Sequence, residues 1–156
     1  MKIKRFEELE CWKTARILVK MVYDAINQSE KFSKDYRLMG QATSSAVSVM
    51  SNIAEGFSRH SNKEFTQFLF ISKASAAELQ SIVYVALDLE YIPHGTFQSI
   101  YNKAENVAKL ESRLISYLLS KKIRKPNELV KLNELSKHNK PNKPSKLNKP
   151  KKLNTL

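Results

Sequence analysis

Apolar residues recur at intervals of three and four along four stretches of the first 120 residues. This spacing is typical of amphipathic helices, each of which turns one apolar stripe toward a shared core. It predicts helices over about 6–28, 35–57, 61–92 and 96–118. Because the connections between them are short, the pattern indicates an all-α fold, an antiparallel up-down-up-down four-helix bundle.

The second predicted helix contains the stretch around which the other helices are expected to pack. Val49, Ile53 and Phe57 recur there at helical spacing and form an apolar stripe. Small side chains beside that stripe allow a neighbouring helix to come close, and these are Ser44, Ser45, Ala46, Ser48 and Ala54. The second and third helices are therefore predicted to form a helical hairpin.

Local signals mark where these helices begin and end. Asp35 is expected to cap the second helix, and Gly56 is expected to end it because glycine readily takes the left-handed conformation. Ser61 and Glu64 have capping-box spacing and predict the start of the third helix. Pro93 disfavours a helical conformation in the residue before it, so the third helix is expected to end by residue 92.

Charge divides the chain into a predicted bundle at 1–120 and a predicted tail at 121–156. The bundle has 15 Lys and Arg against 13 Asp and Glu, whereas the tail has 12 against 2. Most of the net charge of +12 therefore belongs to the tail. The tail is rich in Lys, Asn and Pro and contains no aromatic residue. We expect it to be mostly disordered, because it cannot bury enough apolar surface to offset its ordering entropy.

The composition excludes several classes of protein. The single cysteine, Cys11, rules out an internal disulfide framework. The lack of a signal peptide and of an apolar run of about 18 residues predicts a cytoplasmic protein with no membrane partner. No Glu is followed three residues later by His, as a di-iron bundle site requires, and His60 and His94 fall in predicted connections. We therefore expect no catalytic residue, no cofactor and no metal, and we do not expect an enzyme.

Two carboxylates, Glu55 and Glu78, lie on or beside apolar faces of the predicted helices. A buried carboxylate is costly unless it is paired or hydrogen-bonded, so each should have a polar partner. Asn52, Ser75, Arg59 and tyrosine side chains are the candidates. These polar residues form either a clasp that fixes the register of the helices or a contact to another subunit or ligand, and the sequence leaves both interpretations open.

Several short motifs between residues 6 and 119 occur together in one known family. A specific one is Asn52-Ile53-Ala54-Glu55-Gly56. The others are Phe6-Glu7-Glu8-Leu9-Glu10-Cys11-Trp12-Lys13, Asp35-Tyr36-Arg37-Leu38, Gln41, Ala46-Val47-Ser48-Val49, Arg59, Lys63-Glu64-Phe65, Phe68-Leu69 and Ser75-Ala76-Ala77-Glu78-Leu79. With these motifs the chain resembles the bacterial 23S rRNA intervening-sequence proteins. That family also includes the accessory variability determinant of diversity-generating retroelements.

The resemblance implies a four-helix bundle that assembles as a ring-shaped homopentamer. It favours a non-enzymatic protein with an RNA or ribonucleoprotein role. The alternative, implied by the retroelement branch, is an adaptor that binds a reverse transcriptase and nucleic acid. Trp12, Phe70 and Tyr84 agree with oligomerisation, because one bundle is not expected to cover all of these apolar side chains.

Candidate nucleic-acid contacts lie mainly in the tail. Thr43 and Ser44 stand where the family usually has basic residues, which weakens the expectation that the bundle itself binds nucleic acid. Arg59 and Lys63 remain as candidates on the bundle. The tail can neutralise phosphates but has no aromatic residue to stack on bases. Its candidates are Lys121, Lys122, Arg124, Lys125, Lys140, Lys143, Lys146, Lys149, Lys151 and Lys152.

Overall fold

The structure is a computed structural model that describes the backbone of residues 3–123 and the side chains of residues 3–120. A 3-10 turn at Phe6–Glu8 precedes five helices, which are α1 (Glu10–Asn27), α2 (Glu30–Lys34), α3 (Tyr36–Ser58), α4 (Asn62–Asp88) and α5 (His94–Ile123). No strand occurs within this range. Four of the helices are long, so the predicted all-α helical bundle is confirmed. The predicted disorder of the tail concerns residues that lie outside the described range, apart from the end of α5.

Side-chain caps begin α3 and α4 at the predicted positions. Asp35 accepts a hydrogen bond from the backbone N–H of Leu38 at 3.0 Å, and α3 starts at the next residue. Ser61 accepts from the backbone N–H of Glu64 at 3.2 Å and donates to the Glu64 carboxylate at 2.6 Å. These contacts satisfy backbone donors that the first turn of a helix leaves without partners. Both starts are therefore set by local sequence.

Two elements near the N-terminus differ from the prediction. α1 begins at Glu10 rather than near residue 6, because Leu9 is extended. α2 lies partly within a stretch that was predicted as a connection. Ser29 caps α2 by accepting from the backbone N–H of Phe32 at 3.2 Å, and the Phe32 side chain is only 1% exposed. One buried aromatic residue therefore anchors this short helix.

The predicted role of Gly56 as the end of α3 is wrong. The helix continues to Ser58, and no glycine in the described residues has a positive φ. Gly56 is buried where α3 meets α4. A Cβ atom at this position would lie 2.6 Å from Cβ of Phe68 and 2.8 Å from Cδ2 of Phe65. Glycine therefore stands here because a larger residue would not fit between the two helices.

α5 begins at His94, before the predicted start at Thr96. The backbone N–H of Phe97 is already bonded to the carbonyl of Pro93 at 3.1 Å, so the first helical hydrogen bond includes Pro93. Thr96 therefore lies inside the helix and does not cap it. In the connection between α4 and α5, Glu90 has a φ of 55°, two residues after the end of α4.

Contacts between helices give the arrangement of the bundle. Gln80 of α4 donates to the carbonyl of Tyr101 at 3.3 Å, and Lys73 of α4 donates to Ser112 at 2.8 Å, so α4 and α5 run antiparallel. α3 packs against both α1 and α4. α1 and α5 line a shallow groove together. α1 and α4 therefore stand at opposite corners of the bundle.

The core runs along the inside of all the helices. The largest apolar side chains among those that are fully buried are Leu18, Val22, Phe32, Val49, Ile53, Leu69, Leu79, Val83, Ile100 and Val107. Among these apolar side chains lies one acidic residue, Glu111, which is also fully buried. Glu111 is therefore an acidic group placed inside the apolar core.

Candidate functional site

A buried carboxyl group lies where three helices meet. Glu111 of α5 is 0% exposed, and its Oε1 is hydrogen-bonded to the hydroxyl of Ser72 on α4. The same hydroxyl donates to the backbone carbonyl of Val49 on α3 at 2.8 Å. Oε2 of Glu111 has no hydrogen-bond partner among the described residues. The hydroxyl of Ser72 therefore links α3, α4 and α5.

The protonation state of Glu111 is linked to the orientation of the Ser72 hydroxyl. The hydroxyl of Ser72 has one hydrogen, and the Val49 carbonyl can only accept. When Ser72 donates to Val49, the hydrogen of the Glu111 bond must come from the carboxyl group, which is then neutral. Burial raises the pKa of Glu111 to about 7, although the Ser72 hydrogen bond and the charge of Lys73 partly oppose this rise. The Ser72 hydrogen bond lowers the pKa because Ser72 can turn its hydrogen toward the ionised carboxylate and stabilise that form.

Cys11 of α1 is buried in the same core. Burial, and to a lesser extent the negative charge of Glu111, raise the pKa of the Cys11 thiol to about 12. The thiolate is the reactive form of cysteine, and this pKa keeps its population very small at neutral pH. Cys11 is therefore a packing residue in this environment and is poorly suited to nucleophilic chemistry.

A second polar cluster links α3 to α4. The side-chain amide of Asn52 donates to the backbone carbonyl of Ser48 at 2.8 Å and to its hydroxyl at 3.0 Å. That hydroxyl lies 2.9 Å from the hydroxyl of Ser75, which is buried. Two of the four polar candidates from the sequence, Asn52 and Ser75, are thus brought together through Ser48.

Glu55 and Glu78 are not part of either cluster. Both are exposed, so the expectation that they lie buried is wrong. Glu55 forms an ion pair with Arg59 one turn later, and an exposed pair of this kind contributes little to stability. Glu78 lies on the outer side of α4. A buried carboxylate does occur in the bundle, but it is Glu111 rather than either of these two residues.

The outer side of α4 carries an apolar surface, which we call the α4 face. It consists of Phe70, Ile71, Ala74, Ala77, Tyr84 and Val85, all exposed. Phe70, Ile71 and Tyr84 are 53%, 49% and 48% exposed, respectively. Between residues 65 and 87, Glu78 is the only exposed charged residue, and Lys73 is half-buried. The α4 face therefore has the low charge content of a surface that another protein covers.

A groove of about 580 Å³ runs along α1 at the opposite corner of the bundle. We call it the α1 groove, and its lining residues are Glu7, Trp12, Lys13, Arg16, Ile17 and Lys20. This groove was not predicted from the sequence, because basic residues spaced along a helix are typical of an ordinary solvated face. The spacing of its three basic residues, at 13, 16 and 20, is the signal that could have revealed it.

Known proteins resemble this chain both in sequence and in fold. A sequence model described as 23S rRNA-intervening sequence protein matches residues 7–113. The chain belongs to this family. No curated protein matches the chain significantly. A solved crystal structure of a protein with unknown function, from the S23 ribosomal protein family of Bacteroides thetaiotaomicron VPI-5482, is 24% identical. The match covers 67% of this chain and 94% of that chain with a TM-score of 0.57, and it shows the fold.

In this member of the 23S rRNA-intervening sequence family, the structure describes the side chains of two predicted nucleic-acid contacts, Arg59 and Lys63. Arg59 lies over the ring of Phe68 at 4.9 Å and is paired with Glu55, while Lys63 is exposed in the first turn of α4. The two residues flank the turn between α3 and α4. Lys121 and Lys122 are in α5, but their side chains and the other tail candidates lie outside the described residues.

The part of the chain that the structure describes lacks two kinds of feature. No group of three His, Cys, Asp or Glu residues could hold a metal ion there. No helix in that part is long and apolar enough to cross a bilayer.

Proposed function

We propose that this 23S rRNA-intervening sequence protein is a non-enzymatic homo-oligomer that binds RNA or a ribonucleoprotein. The proposal of an oligomer rests on the exposed apolar residues of the α4 face. A soluble monomer rarely exposes an apolar patch along several turns of one helix, and the large side chains Phe70, Ile71 and Tyr84 are about half exposed. A second copy of the chain is the occupant that we propose for this face.

Five copies are the proposed stoichiometry, following the ring that the family resemblance implies. A ring gives each subunit two neighbours, so the α4 face of one copy would pack against a different surface of the next. The small residues Ala74 and Ala77 at the middle of the face would let the neighbouring backbone approach closely.

The proposed RNA role is supported by charge and by family membership. The segment 121–156 has 12 Lys and Arg against 2 Asp and Glu. Such an excess attracts phosphates through release of their counterions, with little dependence on base sequence. Several such segments on one oligomer would raise the effective concentration of cations near a bound strand. Individually weak contacts could then combine into useful affinity.

Two observations support a role without catalysis in the described part of the chain. The thiol of Cys11 is buried, with its pKa raised to about 12, so it is a poor nucleophile at neutral pH. Glu111 has a pKa near 7, which would suit proton transfer, but it is 0% exposed and no substrate can reach it. We further propose a cytoplasmic location, which suits a free cysteine.

A reverse-transcriptase adaptor is the second candidate function. The α4 face would serve it equally well as a protein-binding surface, and the tail would contact the nucleic acid. The two functions differ in their genomic neighbours. A 23S rRNA gene around the coding sequence supports the first function, whereas a reverse-transcriptase gene with template repeats supports the second.

Light scattering of the full chain, combined with RNA titration, tests the proposal. We expect a mass of about 90 kDa, five times the chain mass of 17.9 kDa, at micromolar concentration. Binding of single-stranded RNA, followed by fluorescence anisotropy, should weaken steeply as salt is raised. A mass near 17.9 kDa would contradict the oligomer. Failure to bind RNA at low salt would contradict the RNA role.

A further inference from the structure

The α1 groove combines positive charge with an aromatic side chain on one side of a single helix. Lys13, Arg16 and Lys20 follow one another at intervals of three and four, so their side chains lie along the same face. At 1.5 Å per residue they extend over about 10 Å of the helix. Trp12 lies at one end of this row. The groove therefore offers a short strip of cations beside an indole ring.

These cations are available to an anionic ligand. Arg16 has no carboxylate partner among the described residues, and its guanidinium lies 6.0 Å from the centre of the Trp12 ring. Lys13 and Lys20 pair with Glu10 at 3.5 Å and with Asp24 at 2.5 Å. Both pairs are exposed, and such pairs contribute little energy, so phosphate groups can replace the carboxylates.

One acidic residue, Glu7, also lines the groove and would oppose an anion. Its carboxylate is already paired with Arg5 at 2.5 Å, and that guanidinium lowers the pKa of Glu7. The pair is therefore close to neutral as a unit. Lys13 and Lys20 have exposed acidic partners of the same kind, so Arg16 is the one lining cation without a carboxylate partner among the described residues.

The aromatic part of the groove is held in place by the fold. Phe6 packs edge-on against Trp12, with ring centroids 5.0 Å apart. Trp12 is partly buried, so its orientation is fixed while part of the ring stays accessible. Ile17, which is 51% exposed, adds an apolar surface one turn further on. A flat base could stack here, either on the indole or on the plane of the Arg16 guanidinium.

We propose that the α1 groove binds single-stranded RNA, with Lys13, Arg16 and Lys20 on phosphates and Trp12 beside a base. A single strand fits these residues better than a duplex, because bases in a duplex are stacked on one another and are not free to contact an aromatic ring. This inference rests on the proposed RNA role. It adds that the bundle itself contacts RNA, in addition to any contact made by the basic segment 121–156.

Trp12 makes the groove directly observable, because it is the only tryptophan of the chain. A short oligouridine labelled with fluorescein is titrated with the full-length protein, and anisotropy reports binding anywhere on the molecule. In a parallel titration with unlabelled oligouridine, tryptophan emission reports the groove alone. We expect both signals to change over the same concentration range.

Arg16→Gln is the test variant, and Arg113→Gln is the matched control, since both arginines are exposed on long helices. Arg16→Gln should weaken RNA binding about tenfold, as expected for loss of a stacking cation and a phosphate contact. It should also reduce the slope of log affinity against log salt by about 0.7, the value for one phosphate on a single strand. Arg113→Gln should leave both quantities unchanged.

The outcomes separate this inference from the function on which it rests. RNA binding with unchanged tryptophan emission and an unaffected Arg16→Gln variant would overturn the groove but keep the RNA role, with binding assigned to 121–156. If the anisotropy of the labelled RNA does not change when wild-type protein is added, both the groove and the RNA role are overturned. Tighter binding of a duplex of the same length would overturn the choice of a single strand. Circular dichroism of both variants should match the wild type, because both side chains lie at the surface.

Discussion

Ser72 and Glu111 share a hydrogen bond whose proton comes from the carboxyl group whenever Ser72 donates to the carbonyl of Val49. At pH values below about 7 the bundle thus holds a carboxyl group in its neutral form at a point where α3, α4 and α5 meet. This arrangement makes the stability of the fold depend on pH in a direction opposite to that of an ordinary surface carboxylate.

We expect the free energy of unfolding to decrease as the pH rises from about 4.5 to 7. Burial raises the pKa of Glu111 from its ordinary value of 4.5 to about 7 in the folded protein. Between these values the folded chain keeps the proton and the unfolded chain does not. The stabilisation is complete below 4.5, declines as the pH approaches 7 and is absent above it. The total is about 3 kcal/mol. Urea unfolding at several pH values measures it.

Glu111→Gln isolates this contribution, because an amide can still donate to Ser72 but does not titrate. The variant should lose the part of the pH dependence that lies between 4.5 and 7. Glu78→Gln is the control, since Glu78 is exposed and its replacement should leave the profile of the wild type intact. Identical pH profiles for wild type and Glu111→Gln would show that the buried carboxyl group does not titrate as the structure indicates.

Two glycines in α3 predict opposite effects of the same substitution. Gly56→Ala should destabilise the protein by about 1–3 kcal/mol, because the new Cβ would lie 2.6 Å from Cβ of Phe68. Gly40→Ala should stabilise it by about 0.5–1 kcal/mol, because nothing lies within 4 Å of that position and alanine favours the helix. Chemical denaturation of both variants measures the difference. Equal effects would mean that α3 and α4 do not approach as closely as described.

The helices and their caps could be predicted because their causes are local. Asp35 and Ser61 bond to backbone groups three residues away, so the sequence around them contains the whole interaction. Gly56 could not be interpreted in the same way. Glycine serves both to end helices and to let helices approach, and the choice depends on Phe65 and Phe68, which belong to the next helix. The local sequence alone does not distinguish these two roles.

Glu111 was missed for a related reason. Its neighbours in sequence, Lys109 and Arg113, are charged, and Glu111 therefore looks like part of a solvated face. Its partners Ser72 and Val49 are distant in sequence. A signal was nevertheless present, because the apolar stripe of α5 has a gap that Glu111 fills. The buried residues of that stripe are Ala104, Val107, Ile115 and Leu118.

Deleting residues 124–156 should affect RNA binding but not folding. All of the core side chains among the described residues lie before residue 120, so the denaturant midpoint of the truncated chain should equal that of the full chain. The deletion removes 10 of the 12 basic residues of the tail, and the salt dependence of RNA binding should become less steep. Parallel unfolding and RNA titrations of the two chains measure both effects. A lower midpoint would show that the deleted segment contributes to the fold, and an unchanged salt slope would show that it does not contact RNA.

The α4 face as the contact between copies is the central claim, and the mass of Ala77→Glu in solution tests it most directly. This substitution places a charge in the middle of the face, where an interface would have to bury it at a high cost. The control is Gln98→Glu, which adds the same charge at an exposed position of α5. By light scattering, the wild type and Gln98→Glu should have the oligomer mass, whereas Ala77→Glu should shift toward 17.9 kDa with unchanged helicity. An Ala77→Glu protein that keeps the full oligomer mass would contradict the account.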